Sequence, residues 1–358
     1  MAFNAAVLGL TPIKRGSKGD MVQSWQRFLR DKKFVLGTPD GDFGPASEAA
    51  TKLYQTQSAL PVTGIVDMAT YQVAMRQNFI FYVANLTAAR LLQSFNFGLD
   101  EVKDLQKVLS TVGKLSPALT VDGAFGANST RGMVEVYKRL DTGFAAALTL
   151  GLSAKTKTKL AGDLSPAIAI LTEFSKRLRQ RLVGPLWVEF KRASTSLEDL
   201  SFPFRDSAKA FAKAVKDAGA TIEIANTLRP PERVHMMHYS FRVAREGLAP
   251  VDVPPFAGIG VDWVHYTPTL SVKAAQELVD AYDIAYKPSL MSNHTIGRAV
   301  DWSIEWTKPI KIKDIDGNLV TIDQPRNGVD NEDLWSIGEG YGVYKLPPDA
   351  PHWSFDGY

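Results

Sequence analysis

Apolar residues change their period along the chain, and each change predicts a different kind of structure. Val22, Trp25, Phe28 and Leu29 recur at helical spacing behind Gly16-Ser-Lys-Gly-Asp20. Asp40-Gly-Asp-Phe-Gly44 forms a turn before a second helical stretch through Ala50, Leu53 and Tyr54, and Thr63-Gly-Ile-Val-Asp67 with Thr70 introduces a third. The pattern then returns. Val102, Leu105, Gln106 and Leu109 echo Val22, Trp25, Gln26 and Leu29, Asp122-Gly-Ala-Phe-Gly126 echoes the first turn, and Gly151-Leu-Ser echoes Gly64-Ile-Val. Residues 10–78 and 98–162 are therefore expected to be two copies of one small all-α, three-helix unit. The second is degenerate, because Ala154 stands where the first has Asp67 and Lys155, Lys157 and Lys159 crowd its last helix.

Residues 165–200 predict a helical connector, with Ser165 as its cap and Pro166 as its first helical residue. Leu171, Phe174, Leu178 and Leu182 share one face, and Gly184-Pro185 ends the helix. Its other face carries Lys176, Arg177, Arg179 and Arg181, which suits either an anionic surface or plain solvation. From 201 to 358 the pattern is α+β with a small antiparallel sheet. A helix runs through Ala208, Phe211, Ala212 and Val215 to Gly219, and Thr221 to Ala225 alternate as a strand that leads to Arg229. Helices are expected from Pro231 and over Val272 to Tyr282, a strand over Val300 to Trp306, a hairpin over 310–322 turning at Asp316-Gly-Asn318, and a short helix at Leu334 to Gly338.

The length of 358 residues suits a multidomain chain, and 45% hydrophobic with 22% charged residues is ordinary for a soluble globular protein. The absence of cysteine excludes disulfides and thiolate metal ligands. A net charge of +3 lacks the basic footprint of a nucleic-acid binder. No apolar run has membrane-spanning length, and Met1 to Leu10 lacks a basic n-region and a secretory apolar core. Synthesis in the cytoplasm without a conventional export signal is expected, and so is a monomer.

The chemistry gathers late in the chain. Ser292, His294, Gly297, Ala299 and Asp301 form Ser-x-His-x-x-Gly-x-Ala-x-Asp, and Asp349 precedes His352-Trp353 by the spacing Asp-x-x-His-Trp. Two imidazoles and a carboxylate are the three protein ligands of a hydrolytic zinc site, whose fourth position is left to water. Such a water still needs a base to take its proton and return it to a leaving amine, and Asp349 is placed for that role. Pro347, Pro348 and Pro351 restrict the loop that carries it. Gly297 suits a turn needing positive φ, and Ala299 suits close packing. Ser292 and Trp353 are candidate substrate contacts. His265, in an aromatic segment at Val261 to Tyr266, is another, with a hydrogen-bonded structural role as its alternative. His235 and His238 are spaced i, i+3 on the helix from Pro231, lack the His-Glu-x-x-His arrangement, and are expected to be helix-face residues.

Two resemblances follow from these residues. The Gly-x-x-Gly start, Asp-Gly-x-Phe-Gly middle and Thr-Gly-x-x-Asp-x-x-Thr end of the first unit resemble the type I peptidoglycan-binding module. The second copy is then a wall binder or a spacer. The late constellation resembles the M15 zinc peptidases, which include VanY-type D-Ala-D-Ala carboxypeptidases and phage L-alanyl-D-glutamate endolysins. That resemblance implies Zn2+ on His294, Asp301 and His352, Asp349 as the catalytic carboxylate, and Arg229 stabilising the oxyanion and gripping the substrate carboxylate. It covers about Phe204 to Tyr358, with Val251 to Tyr266 and the 310–322 hairpin as elaborations that shape the groove. The function it implies is hydrolysis of a stem-peptide amide in peptidoglycan, the L-Ala-D-Glu bond first, with action on the cell wall in the periplasm or outside the cell after release. A D,D-carboxypeptidase, a D,D-endopeptidase and a non-catalytic wall-binding protein are the alternatives.

Overall fold

The computed structural model describes residues 3–34, 37–81 and 86–358. Its chain forms two compact units, Met1–Leu182 and Val183–Tyr358. The expected 165–200 connector is thus divided. Its helix belongs to the first unit, while Val183 onward packs into the second, where the Val183 amide donates to the Asp262 carbonyl at 2.9 Å, the Thr227 amide to the Ser194 carbonyl at 2.7 Å and the Ser194 amide to the Leu228 carbonyl at 2.9 Å.

The first unit is helical: α1 (Asp20–Asp31), α2 (Pro45–Gln57), α3 (Met68–Arg76), α4 (Ala88–Ser94), α5 (Leu99–Val112), α6 (Ala127–Leu140), α7 (Phe144–Gly151), α8 (Ala154–Lys159) and α9 (Leu164–Arg181). In α1 to α3 the core is aromatic. Trp25 meets Tyr54, Tyr71 and Phe79 edge-on, and its indole N–H donates to Thr51 Oγ1 at 2.9 Å, so the buried polar atom is satisfied. Gln26 fastens α1 to the Asp-Gly turn: its Nε2 donates to Asp40 Oδ1, the Asp42 carbonyl and Ser47 Oγ at 2.8–3.0 Å, and its Oε1 accepts the Gly41 amide at 2.8 Å.

The second copy reproduces this lock residue for residue. Gln106 Nε2 donates to Asp122 Oδ1, the Ala124 carbonyl and Ser129 Oγ at 2.9–3.1 Å, and its Oε1 accepts the Gly123 amide at 2.9 Å. The loss expected at Ala154 is displaced by one position rather than real. Ser153 caps α8 through the Thr156 amide as Asp67 caps α3 through the Thr70 amide. The crowding lysines have partners as well, Lys155 on Asp100 and Lys159 on buried Glu101. Helix α9 starts one residue before the expected cap, behind Asp163, whose carboxylate pairs with Arg76 and Asn96.

The second unit mixes α10 (Phe204–Asp217), α11 (Pro231–Arg245), α12 (Pro268–Ala281) and α13 (Glu332–Gly340) with β1 (Thr221–Asn226), β2 (Ala299–Glu305), β3 (Ile310–Lys313), β4 (Leu319–Ile322), β5 (Tyr344–Lys345) and β6 (His352–Ser354). One antiparallel sheet has the order β1-β2-β6-β5, and β3-β4 is the expected hairpin. Side chains alternate across a strand, so Val300, Trp302 and Ile304 of β2 share one face with Ile222 and Ile224 and pack with α10 through Phe211. Asp301 takes the other face. The hairpin buries Ile310, Ile312 and Ile322 in that same core, which makes it an extension of the core. A second core, built from Met236, Tyr239, Val243, Ala275 and Leu278, joins α11 to α12. No helix among the described residues is long and apolar enough to cross a membrane.

Candidate metal centre

The register β2 to β6 sets Asp301 directly opposite His352, so both side chains leave the sheet on the face away from α10. His294 reaches the same point from a 3₁₀ turn, Asn293–Ile296, which ends at Gly297 with φ +68°. A Cβ at Gly297 would come within 2.9 Å of the Ser201 main-chain nitrogen, which itself donates to the Gly297 carbonyl. Glycine is therefore required both by conformation and by contact.

His294 Nε2 lies 3.0 Å from Asp301 Oδ1 and 3.2 Å from His352 Nδ1, and His352 Nδ1 lies 3.1 Å from Asp301 Oδ1. All three residues are buried. The far nitrogens decide what these atoms are. His294 Nδ1 is 2.8 Å from the Thr227 carbonyl and His352 Nε2 is 3.2 Å from the main-chain oxygen of Tyr358. Each far nitrogen must donate its proton to that oxygen, which leaves a lone pair on each inner nitrogen. Three lone pairs thus converge on one point, and either extra protons or a cation must lie between them. Four-coordinate zinc with bonds of about 2.0–2.1 Å sets its donors about 3.3 Å apart, close to the spacing of this triad. The donor set suits such an ion. Where protons rather than a cation fill this point, burial alone would raise the Asp301 carboxyl, but hydrogen bonds from the protonated His294 and His352, with their charge, pull it well below the ordinary carboxylate range.

The second Asp301 oxygen has its own partners. A bulge in β1 between Ile224 and Asn226 turns the Asn226 side chain onto Asp301 Oδ2 at 3.3 Å, and Arg229 Nη2 stands 3.5 Å from the same atom. The Arg229 main chain donates to the His294 carbonyl at 3.0 Å. Burial lowers the guanidinium's affinity for its proton, and the charges of Asp301 and Asp349 offset only part of that. Arg229 therefore sits within electrostatic reach of both carboxylates. Asp349 is exposed, in a loop tied back by its own amide to the Leu346 carbonyl, by its carbonyl to the His352 amide, and by the Pro351 carbonyl to Trp302.

The remaining candidates separate. Ser292 is half-buried at the start of the 3₁₀ turn, and its Oγ is enclosed without a hydrogen-bond partner. Trp353 is corrected from substrate contact to core: it follows His352 on a strand, so it points to the opposite face, where it is 1% exposed against Phe211 and Trp302. His265 is corrected likewise. It is buried, its Nε2 is 3.1 Å from the Val183 carbonyl, and its amide donates to Ser271 Oγ, so it serves the junction at α12. His235 is buried against Tyr239 and Phe256, and His238 Nδ1 is 2.7 Å from the Pro288 carbonyl. Asn226, Thr227 and Lys345 enter the site without having been expected, since only the bulge and the tertiary contacts identify them.

No curated protein matches the chain. The first helical unit is matched over residues 18–73 by the family model of a peptidoglycan binding domain, so this chain carries a module that associates it with the cell wall.

Proposed function

We propose that the protein is a zinc-dependent peptidoglycan peptidase of the M15 kind, carried to the wall by its first module and cutting the L-Ala-D-Glu amide of the stem peptide. The single observation that carries this reading is the convergence of the His294, Asp301 and His352 lone pairs within 3.2 Å of one another. A cation on these donors supplies Lewis acidity towards a carbonyl and acidifies water. Asp349, three residues before His352 and exposed, takes the proton from water and returns it to the leaving amine. Arg229, held by the His294 carbonyl and facing Asp301, supplies the fixed positive charge that stabilises negative charge growing on the scissile oxygen. Asn226 and Arg229 together keep the second Asp301 oxygen turned from the ligand position.

The test is metal analysis of the full chain coupled to mass spectrometry of fragments released from purified sacculi. New N-terminal D-Glu after zinc loading, lost with chelator, is the expected result. Loss of terminal D-Ala would assign a D,D-carboxypeptidase instead. Retained sedimentation on sacculi with no fragment released from the zinc-loaded protein would leave only a wall-binding protein.

A further inference from the structure

We infer that Asn293 is a positioning residue for the metal centre, clamping the segment 355–358 so that the main-chain oxygen of Tyr358 stays on His352 Nε2. The inference rests on reading the triad as a cation site. The two histidines are oriented by unequal means. Thr227, the partner of His294, is fully buried, and its amide and hydroxyl both donate to main-chain carbonyls, at Ser194 and Ser196. Tyr358, the partner of His352, is 82% exposed and belongs to no strand or helix. An imidazole's second torsion has broad, roughly two-fold wells, so β6 alone does not choose which nitrogen faces Asp301.

Asn293 makes the difference. Its Nδ2 carries two hydrogens, and two acceptors lie in reach: Asp356 Oδ1 at 2.6 Å and the Tyr358 main-chain oxygen at 2.8 Å. Asp356 Oδ1 also accepts the Tyr358 amide and the Ser354 hydroxyl at 3.2 Å. One amide group therefore ties the turn that carries the first imidazole to the oxygen that orients the second. Neither alanine nor aspartate at 293 has a donor for these oxygens, and aspartate adds repulsion with Asp356.

The experiment uses the full chain, with Zn2+ affinity from chelator competition and the visible spectrum of the Co2+ form. N293A and N293D are expected to bind about 10–100-fold more weakly, as loss of an outer partner of a metal-bound histidine does, with an altered Co2+ spectrum. D356A, which removes the other end of the clamp, should weaken binding similarly, and N293A/D356A should be no worse than the weaker single variant. Parental affinity and spectrum in the variants would overturn the clamp and leave the cation site standing, as would strictly additive losses. Failure of the parental chain to bind one cation overturns both.

Discussion

The buried ammonium of Lys345 donates to the main-chain oxygen of Asp349 at 2.7 Å. It also donates to the Leu346 carbonyl at 2.6 Å and lies 5.9 Å from the Trp335 ring centroid. Burial lowers its proton affinity, and the charges of Asp349, Asp330 and Asp301 oppose that shift. One charged side chain thus spans the base of the loop that presents the proposed base, from a strand neighbouring the one that carries a proposed ligand. Lys345→Met keeps the apolar stem and removes the donor. It should cost about 1–3 kcal/mol and speed amide exchange across 346–351. Zn2+ affinity should stay parental. Unchanged exchange there would show that the prolines and the main-chain hydrogen bonds hold the loop without Lys345.

Asp349→Asn isolates the proton transfer. It preserves size and removes the charge, so turnover on sacculi should fall by about 10²–10⁴ while cation stoichiometry and sacculus sedimentation persist. Arg229 loses one of its two electrostatic partners in this variant and keeps Asp301. Turnover near the parental value would remove Asp349 from the mechanism.

How much of this was visible in the chain depends on distance along it. The paired locks at Gln26 and Gln106 lie within helix-turn-helix segments, where spacing carries the information, and so does the His294 to Asp301 interval across one turn into one strand. Strand alternation also could have excluded Trp353, since a residue next to an inward ligand on a strand must face the other way. The oxygens that orient the imidazoles were not legible. Thr227 and Tyr358 act through main-chain atoms, which any residue type offers, and Asn226 reaches Asp301 only because a bulge reverses its side. Asn293 and Lys345 are polar residues whose partners are set by folding.

The repeated lock makes a prediction about the first unit. Gln26→Ala leaves the Gly41 amide without its side-chain acceptor and three oxygens without their donor, a loss of about 2–3 kcal/mol. Gln106→Ala removes the same set of contacts from the second copy and should cost a similar amount. Denaturant unfolding of each variant checks this. A neutral Gln106→Ala would mean that the second turn is held by other contacts and that the likeness between the copies is geometric only.

Alkaline unfolding tests the aromatic core of the first unit. Burial pushes the Tyr54 phenol up to about 12 from 10.0, against a weaker opposing hydrogen bond with Ser58. Its hydroxyl donates to Gln77 Oε1 at 3.1 Å, so the neutral form is also the bonded one. Because the folded value lies above that of the free phenol, the stabilisation is intact below about pH 10 and is lost as pH rises towards about 12. Tyr71, buried in the same core, is shifted in the same direction by the same cause. Tyr54→Phe removes one of these ionisations and sacrifices one hydrogen bond, so the variant should be slightly less stable at neutral pH and lose less between pH 10 and 12. Denaturation curves at pH 8 and pH 11 measure both effects, and an equal loss in the parental and variant chains would show that the Tyr54 phenol ionises with its ordinary affinity despite its burial.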